Sequence, residues 1–227
     1  MRSLIIPARG GSKRIPRKNI RMFAGKPIIQ YSIEAALSSG IYDNVIVSTD
    51  DYEIASVANK LGAESSANRP AKFSNDSSSV IEVIKYEIEN HGLQENVSVT
   101  CLFACAPMIL GEDLVKAVTM FESQNQSTSL MTVAEFPVPP EWALSIVEEQ
   151  VVFDLPSRLK SSALNFTKKF FDSGSFYIYN PTALMLSQEN TVTDGIMPFL
   201  VSRDKAVDID TAADWDFAEA IYMSKFN

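Results

Sequence analysis

Short uninterrupted apolar runs alternate with amphipathic stretches through the first half of the chain. Leu4-Ile5-Ile6, Val45-Ile46-Val47 and residues 97–104 are runs of the kind a strand shows when both faces of a parallel sheet are covered. Between them, apolar residues recur at helical spacing. Ile28, Tyr31, Ile33, Ala35, Ala36 and Leu37 predict a helix over 27–39, opened by Pro27 and stopped by Gly40. Ile54, Val57, Ala58 and Leu61 predict a second, capped by Asp50 or Asp51 and ended by Gly62. After a short extended piece at 63–67, Val80, Val83, Ile84 and Ile88 predict a third, capped from the polar stretch 75–79, and Leu114, Val118 and Phe121 a fourth. This rhythm predicts an α/β fold with a doubly wound, mostly parallel, Rossmann-like sheet.

From Ser129 the pattern changes. Leu130 to Val133 reads as a strand, and the cluster Pro137-Val138-Pro139-Pro140 excludes helix after it. Alternating pieces follow at 146–153, 176–179 and 199–202, with a polar, basic segment at 157–169. The second half is therefore strand-rich. It ends in Ala206-Val207-Asp208-Ile209-Asp210-Thr211, read as a strand, and a helix over 212–226.

Composition narrows the class. A chain of 227 residues that is 46% hydrophobic can bury one sizeable core, so residues 1–227 are expected to form a single domain. The isoelectric point of about 4.8 argues against nonspecific nucleic-acid binding. No stretch approaches the roughly 20 apolar residues of a membrane helix, and the run at Leu4 is too short for a signal-peptide core. A cytoplasmic protein without a membrane partner is expected. Cys101 and Cys105 share a strand face but stand roughly 13 Å apart along it, too far to bridge, so both are expected to be reduced.

Charge changes the picture most. Residues 9–26 hold seven Lys or Arg and no acid, so this stretch carries +7 in a chain of net charge -8 and leaves -15 elsewhere. At its head stands Pro7-Ala8-Arg9-Gly10-Gly11-Ser12-Lys13-Arg14-Ile15-Pro16-Arg17-Lys18-Asn19, directly after the first strand. Gly10 and Gly11 can take left-handed conformations in which backbone N–H groups converge on an anion, with Lys13 and Lys18 neutralising it. The spacing matches neither a Walker loop nor GxGxxG. The competing reading is a solvated basic turn, which the two glycines, the preceding strand and the lack of interleaved acids disfavour. At the other end of the chain, strand alternation would put Asp208 and Asp210 on one face, about 7 Å apart, where two carboxylates suit a hard divalent cation. A helix cap plus a solvated Asp is an equal reading of that pair taken alone, and the basic loop favours the cation, since a triphosphate site needs one that lysines alone rarely replace.

The loop, with Pro16-Arg17-Lys18-Asn19, resembles the nucleotide-binding signature of the sugar-acid cytidylyltransferases, which make CMP-activated nonulosonic acids, and among them the pseudaminate type. The resemblance continues through Val47-Ser48-Thr49-Asp50, Arg69-Pro70, Asp76 to Ser79, Phe103-Ala104-Cys105-Ala106-Pro107, Asp172-Ser173-Gly174-Ser175-Phe176-Tyr177, and Val207 to Thr211 with Asp214-Trp215. It implies a nucleotidyltransferase fold with a strand-rich insertion, about residues 129–180, serving as acceptor lid and dimerisation region of a homodimer. It implies that Ala8, Arg9, Gly10, Gly11, Ser12, Lys13, Lys18, Asn19, Arg69, Asp76 and Ser79 bind CTP, that Arg9, Lys13 and Asp210 are catalytic, and that Asp208 and Asp210 hold Mg2+. Phe103, Ala106, Arg158 and Ser175 are the implied acceptor contacts, the acceptor being a nine-carbon sugar acid.

The chain departs from the pseudaminate pattern in the acceptor region alone. Pro139-Pro140-Glu141-Trp142-Ala143 stands where that type has Pro-Ile-Gln-Arg-Ala, and Phe170-Phe171-Asp172 where it has Tyr-His-Asp. Its Arg-Ser-Gln-Asp run is represented only by Arg158 or by Ser161 to Asn165. The sialate type is further away, since the Gln and Arg of its Gln-Pro-Thr-Ser-Pro-Leu-Arg run are missing around Pro107. The acceptor's carboxylate is expected on Arg158, Lys160, Lys168 or Lys169, with Arg158 first because a guanidinium matches a carboxylate bidentately. Legionaminate or N-acylneuraminate as acceptor, and an inactive nucleotide-binding regulatory homologue, are the alternatives. A sugar-phosphate nucleotidyltransferase is disfavoured because the Gly-x-Gly-Thr-Arg loop is absent. His91, the only histidine, is expected to end a helix and not to act as a base.

Overall fold

The computed structural model describes residues 1–124, 129–153, 166–187 and 195–226. Its centre is a six-stranded sheet built from β1 (Arg2–Pro7), β4 (Asn44–Ser48), β5 (Ser98–Leu102), β6 (Ser129–Glu135), β9 (Phe170–Tyr179) and β10 (Ile196–Leu200), in the order β10-β6-β9-β5-β1-β4. β1 runs parallel to β4 and β5, and β10 parallel to β6, whereas β9 lies antiparallel between β5 and β6. The doubly wound, mostly parallel sheet is present, with one reversed strand that the apolar pattern does not reveal. Pro198 sits in β10 at one sheet edge, where a missing N–H leaves no ladder bond unmade.

Both faces of the sheet are covered. Leu4 and Ile6 face α1 (Ile28–Ser39), α2 (Tyr52–Lys60) and α4 (Gly111–Glu122), while Ile5 faces α3 (Val80–Asn90) and α5 (Pro181–Leu186). All three strand residues are 0% exposed, each worth about 1.5–3 kcal/mol of burial. Asp51 accepts from the Glu53 and Ile54 amides at the start of α2, and Ser79 with Glu82 forms a capping box on α3. Gly40 and Gly62 end α1 and α2 at φ 66° and 94°.

A third apolar cluster lies beside the sheet. A two-residue hairpin, β2 (Met22–Phe23) and β3 (Lys26–Pro27), turns the basic loop back into α1. Phe23 packs edge-on against Trp215 of α6 (Ala212–Lys225) and Tyr31 of α1, at 5.5 and 5.7 Å between ring centres, with Ile15 buried in the same cluster. The last helix thereby anchors the first loop.

The strand-rich half is not an appendage, since β6 and β9 complete the central sheet. What stands outside the sheet is β7 (Leu144–Val147) with β8 (Gln150–Phe153). The span 146–153, read as one alternating piece, is this hairpin with its turn at Glu148 and Glu149, both at positive φ. The span 206–210, read as a strand, has no regular structure and leads to the capping box of Thr211 and Asp214 on α6.

Candidate active site

The carboxyl ends of β1 and β5, with the loops after β4, open into a cleft of about 440 Å³, the place where α/β sheets present their sites. Of the residues expected to act, Arg9, Ser12, Lys13, Lys18, Asn19, Arg69, Asp76, Phe103, Asp208 and Asp210 all line it. The two chain ends meet there.

The basic loop is held by acids from other segments of the chain. Arg17 takes a left-handed turn at φ 57° and pairs with Asp51 and Glu53, outside the cleft. Arg9 and Lys13 both pair with Asp76, at 2.8 and 2.7 Å. These bonds, that of Lys13 first, hold the Asp76 carboxyl below its ordinary value. Arg14 lies 2.9 Å and Lys18 3.6 Å from the carboxylate of Asp210, and Lys18 also donates to the Ile209 carbonyl at 2.6 Å. Asn19 is buried and donates to the Arg9 carbonyl at 2.9 Å, which fixes the loop's two arms together. Arg69 enters from below with its side chain 3% exposed, donating to the Ser48 carbonyl at 3.2 Å and standing 3.9 Å from Asp50.

The expected glycine nest does not form. Neither Gly10 nor Gly11 is left-handed, and the Gly10 N–H donates to Asp50 at 2.9 Å. Glycine is required at position 10 for another reason: a Cβ there would lie 2.7 Å from the Asp51 carboxylate and 2.9 Å from its Cβ. Ala8 is a buried residue whose amide extends the sheet to the Ser48 carbonyl at 2.9 Å. Ser79 is occupied as the cap of α3. Ser175 is buried, bonded to Ser173 and to the Lys205 carbonyl, and Ala106 packs in the core. None of Ala8, Gly10, Gly11, Ser79, Ala106 and Ser175 lines the cleft. Arg158 and Lys160 lie outside the described residues, while Lys168 is exposed and pairs with Glu135 at 3.0 Å.

Asp208 and Asp210 lie on the cleft wall with Ile209 turned into the core between them. Desolvation first, then the neighbouring Asp210, push the Asp208 carboxyl above its ordinary value, with Lys18 opposing. Among the described residues no group of three His, Cys, Asp or Glu side chains could hold a metal. Two hard carboxylates in one cleft fit a cation that completes its shell with phosphate oxygens and water, as Mg2+ does.

Several cleft residues escaped the sequence reading. Arg14 follows Lys13 directly, and its pairing with Asp210 needs the opposite chain end in place. Cys105, Gly174 and Val207 also line the wall. Cys105 places its thiol 3.5 Å from Asn19 Oδ1, and burial pushes that thiol up to about 11, so it stays protonated. Cys101 and Cys105 are both free. His91 caps α3 at its carboxyl end with Nε2 3.3 Å from Glu87, away from the cleft.

The sequence pattern of the cytidylyltransferase family matches residues 3–189. The chain is 40% identical to a pseudaminic acid cytidylyltransferase of Campylobacter jejuni, over 96% of this chain and 94% of that one. It is 30% identical to a CMP-N,N'-diacetyllegionaminic acid synthase of Legionella pneumophila, again over 96% and 94%. The fold resembles that of a CMP:2-keto-3-deoxy-manno-octonic acid synthetase solved with CTP, with TM-score 0.73, 18% identity and 99% of each chain covered. With a cleft at the strand ends, a basic loop along one wall and a family pattern spanning most of its length, the chain belongs to the cytidylyltransferase family of nucleotidyltransferases.

Proposed function

We propose that the protein transfers CMP from CTP to the anomeric hydroxyl of a nonulosonic acid, pseudaminic acid being the favoured acceptor, and releases pyrophosphate. The observation that supports this most is the convergence of Arg9, Lys13, Lys18 and Arg69 with Asp208 and Asp210 on one cleft, in a chain 40% identical to a relative named for that reaction. Arg9 and Lys13 take the triphosphate, exchanging Asp76 for phosphate oxygens. Such exchange is easy because exposed ion pairs contribute little. Asn19 keeps Arg9 in place, and Arg69 adds a cation from below. The anomeric hydroxyl gives its proton to water as its oxygen forms a bond to the α-phosphorus and the bond to the β-phosphate oxygen breaks, and the departing pyrophosphate stays on Arg9 and Lys13. Such a transfer needs positioning and charge neutralisation more than covalent help. Asp208 and Asp210 would hold Mg2+, which when bound neutralises phosphate charge and acidifies the acceptor hydroxyl.

Phe103 lines the cleft, and the acceptor's carboxylate is assigned to the basic segment led by Arg158. The protein is assigned to the cytoplasm, where CTP is found, and among the described residues no helix is long and apolar enough to cross a membrane. A homodimer is proposed through the β7–β8 hairpin, whose Leu144, Ile146, Val147, Val151, Val152 and Phe153 are all exposed in the single chain. Pyrophosphate release with CTP and a panel of pseudaminic, legionaminic and N-acetylneuraminic acids tests the reading. Pseudaminic acid should turn over fastest. Preference for legionaminic acid would move the protein toward its Legionella relative, and CTP binding without turnover would make it a regulatory homologue.

A further inference from the structure

Glu87 is a carboxylate in the wrong place for a surface helix residue. It sits on the third turn of α3, is 2% exposed, and no step of the transfer uses it. Burial of an unpaired charge is costly, so its partners define what it is for. One oxygen accepts from the Ser48 hydroxyl and the other lies 3.3 Å from His91 Nε2. The acid stands between Ser and His, and Ser48 is buried off the cleft, so the three make no nucleophile.

Ser48 is the last residue of β4, and its carbonyl accepts twice: from the Ala8 amide at 2.9 Å and from Arg69 Nη1 at 3.2 Å. Two residues on, Asp50 accepts from the Gly10 amide at 2.9 Å and stands 3.9 Å from Arg69 Nη2. The end of β4 is therefore a junction that fixes both the start of the basic loop and the buried guanidinium. Arg69 is surrounded by the favourable charges of Asp50 and Glu87 and the unfavourable charge of Arg9, and desolvation depresses its pKa most of all. Asp50 is already shared with Gly10. Glu87 is the fully buried acid of the pair.

We infer that Glu87 is a positioning residue for the nucleotide site: by gripping Ser48, whose carbonyl accepts from Arg69, and adding a buried carboxylate to that network, it holds the guanidinium in the cleft wall. The inference rests on the proposed role of Arg69 at the nucleotide. It assigns α3, which touches the cleft at Val80 and Val83, the further task of setting nucleotide affinity from beneath the sheet. Glu87→Gln keeps the volume and an acceptor for Ser48 but removes the charge, and Ser48→Ala removes the grip while leaving the charge.

The test is CTP affinity by titration calorimetry with Mg2+, on the full chain and on Glu87→Gln, Ser48→Ala, Arg69→Ala and the double variant Glu87→Gln/Arg69→Ala, each checked for a native circular dichroism spectrum. Glu87→Gln should weaken CTP about tenfold with kcat at saturation within about twofold, and the double variant should be no weaker than Arg69→Ala alone, because residues of one hydrogen-bond network, here joined through Ser48, couple. Should Glu87→Gln fail to fold, Ser48→Ala must show the same coupling with Arg69→Ala. Wild-type affinity in folded Glu87→Gln and Ser48→Ala while Arg69→Ala weakens CTP, or strict additivity in the double variant, overturns the inference and leaves the nucleotide reading standing. Unchanged affinity in Arg69→Ala removes both.

Discussion

The nucleotide wall and the hairpin that carries residues 144–153 show two ways of holding a surface. On the wall, each cation that lines the cleft answers to an acid or a carbonyl of the fold: Arg9 and Lys13 to Asp76, Arg14 and Lys18 to Asp210, Arg69 to Ser48 and Asp50. The hairpin is paired along its own ladder and presents apolar side chains to the surface, with Ile146 79% exposed. The contrast teaches that the first surface has its charges already paired within the fold, whereas the second offers apolar side chains for the proposed dimer contact. Residues at the wall should therefore change chemistry without changing assembly, and residues on the hairpin the reverse.

The sharpest test of the wall is Asp210→Asn. It removes a proposed metal ligand and also the acid that Arg14 and Lys18 share, so turnover should fall by about 10³-fold and lose its dependence on Mg2+. Asp208→Asn should weaken both less. Full activity in the two variants, measured by pyrophosphate release across a Mg2+ titration, would remove the metal assignment. Lys13→Ala comes next, with kcat/KM down by about 10²-fold and stability within about 0.5 kcal/mol, since its side chain is 79% exposed. Wild-type kinetics in that variant would mean the basic loop is no triphosphate cradle.

For the hairpin, Ile146→Lys should lower the mass in sedimentation from that of a dimer to that of a monomer at micromolar protein while leaving CTP affinity within about twofold. An unchanged mass would remove the hairpin as the proposed dimer contact. The smallest effect lies far from both regions, at Glu122, which accepts from Arg2 at 2.8 Å and ties α4 to β1. That hydrogen bond, its largest favourable influence, holds the Glu122 carboxyl below its ordinary value of 4.5 against desolvation. The folded state thus favours the ionised form, so the stabilisation is complete above 4.5 and is lost as pH falls through the lower folded value. Arg2 is 40% exposed, so screening limits the gain to about 0.5–1 kcal/mol. Glu122→Gln should cost that much at pH 7 and nothing in acid, in urea melts at the two pH values. An equal cost at both would show that charge is not involved.

The apolar spacing made β1, β4, β5 and the helices α1 to α4 legible, because a strand covered on both sides and a helix covered on one leave different periods in the sequence. Strand direction leaves no such trace, so the antiparallel insertion of β9 between β5 and β6 was not readable. The hairpin turn was hidden for a related reason: Glu148 and Glu149 take positive φ without the Asn or Gly that announces it. In the site, charge and the family resemblance named Arg9, Lys13, Lys18, Arg69, Asp208 and Asp210. They did not tell that Gly10 is small to clear Asp51, or that Asp76 sits between Arg9 and Lys13, since both facts join segments tens of residues apart.

The latch from Lys18 to the carbonyl of Ile209 spans 191 residues, and this sets an order in time. A ribosome adding about 5–20 residues per second makes the basic loop on the order of 10–40 s before the segment that secures it. Over that interval β1 and β4 can pair, and β5 after them, yet Ile15 and Phe23 have no Trp215 to pack against and Arg14 has no Asp210. The loop leaves the ribosome long before the segment that fastens it. The proposed triphosphate cradle is in this sense completed only when the segment around Ile209 and the helix α6 dock.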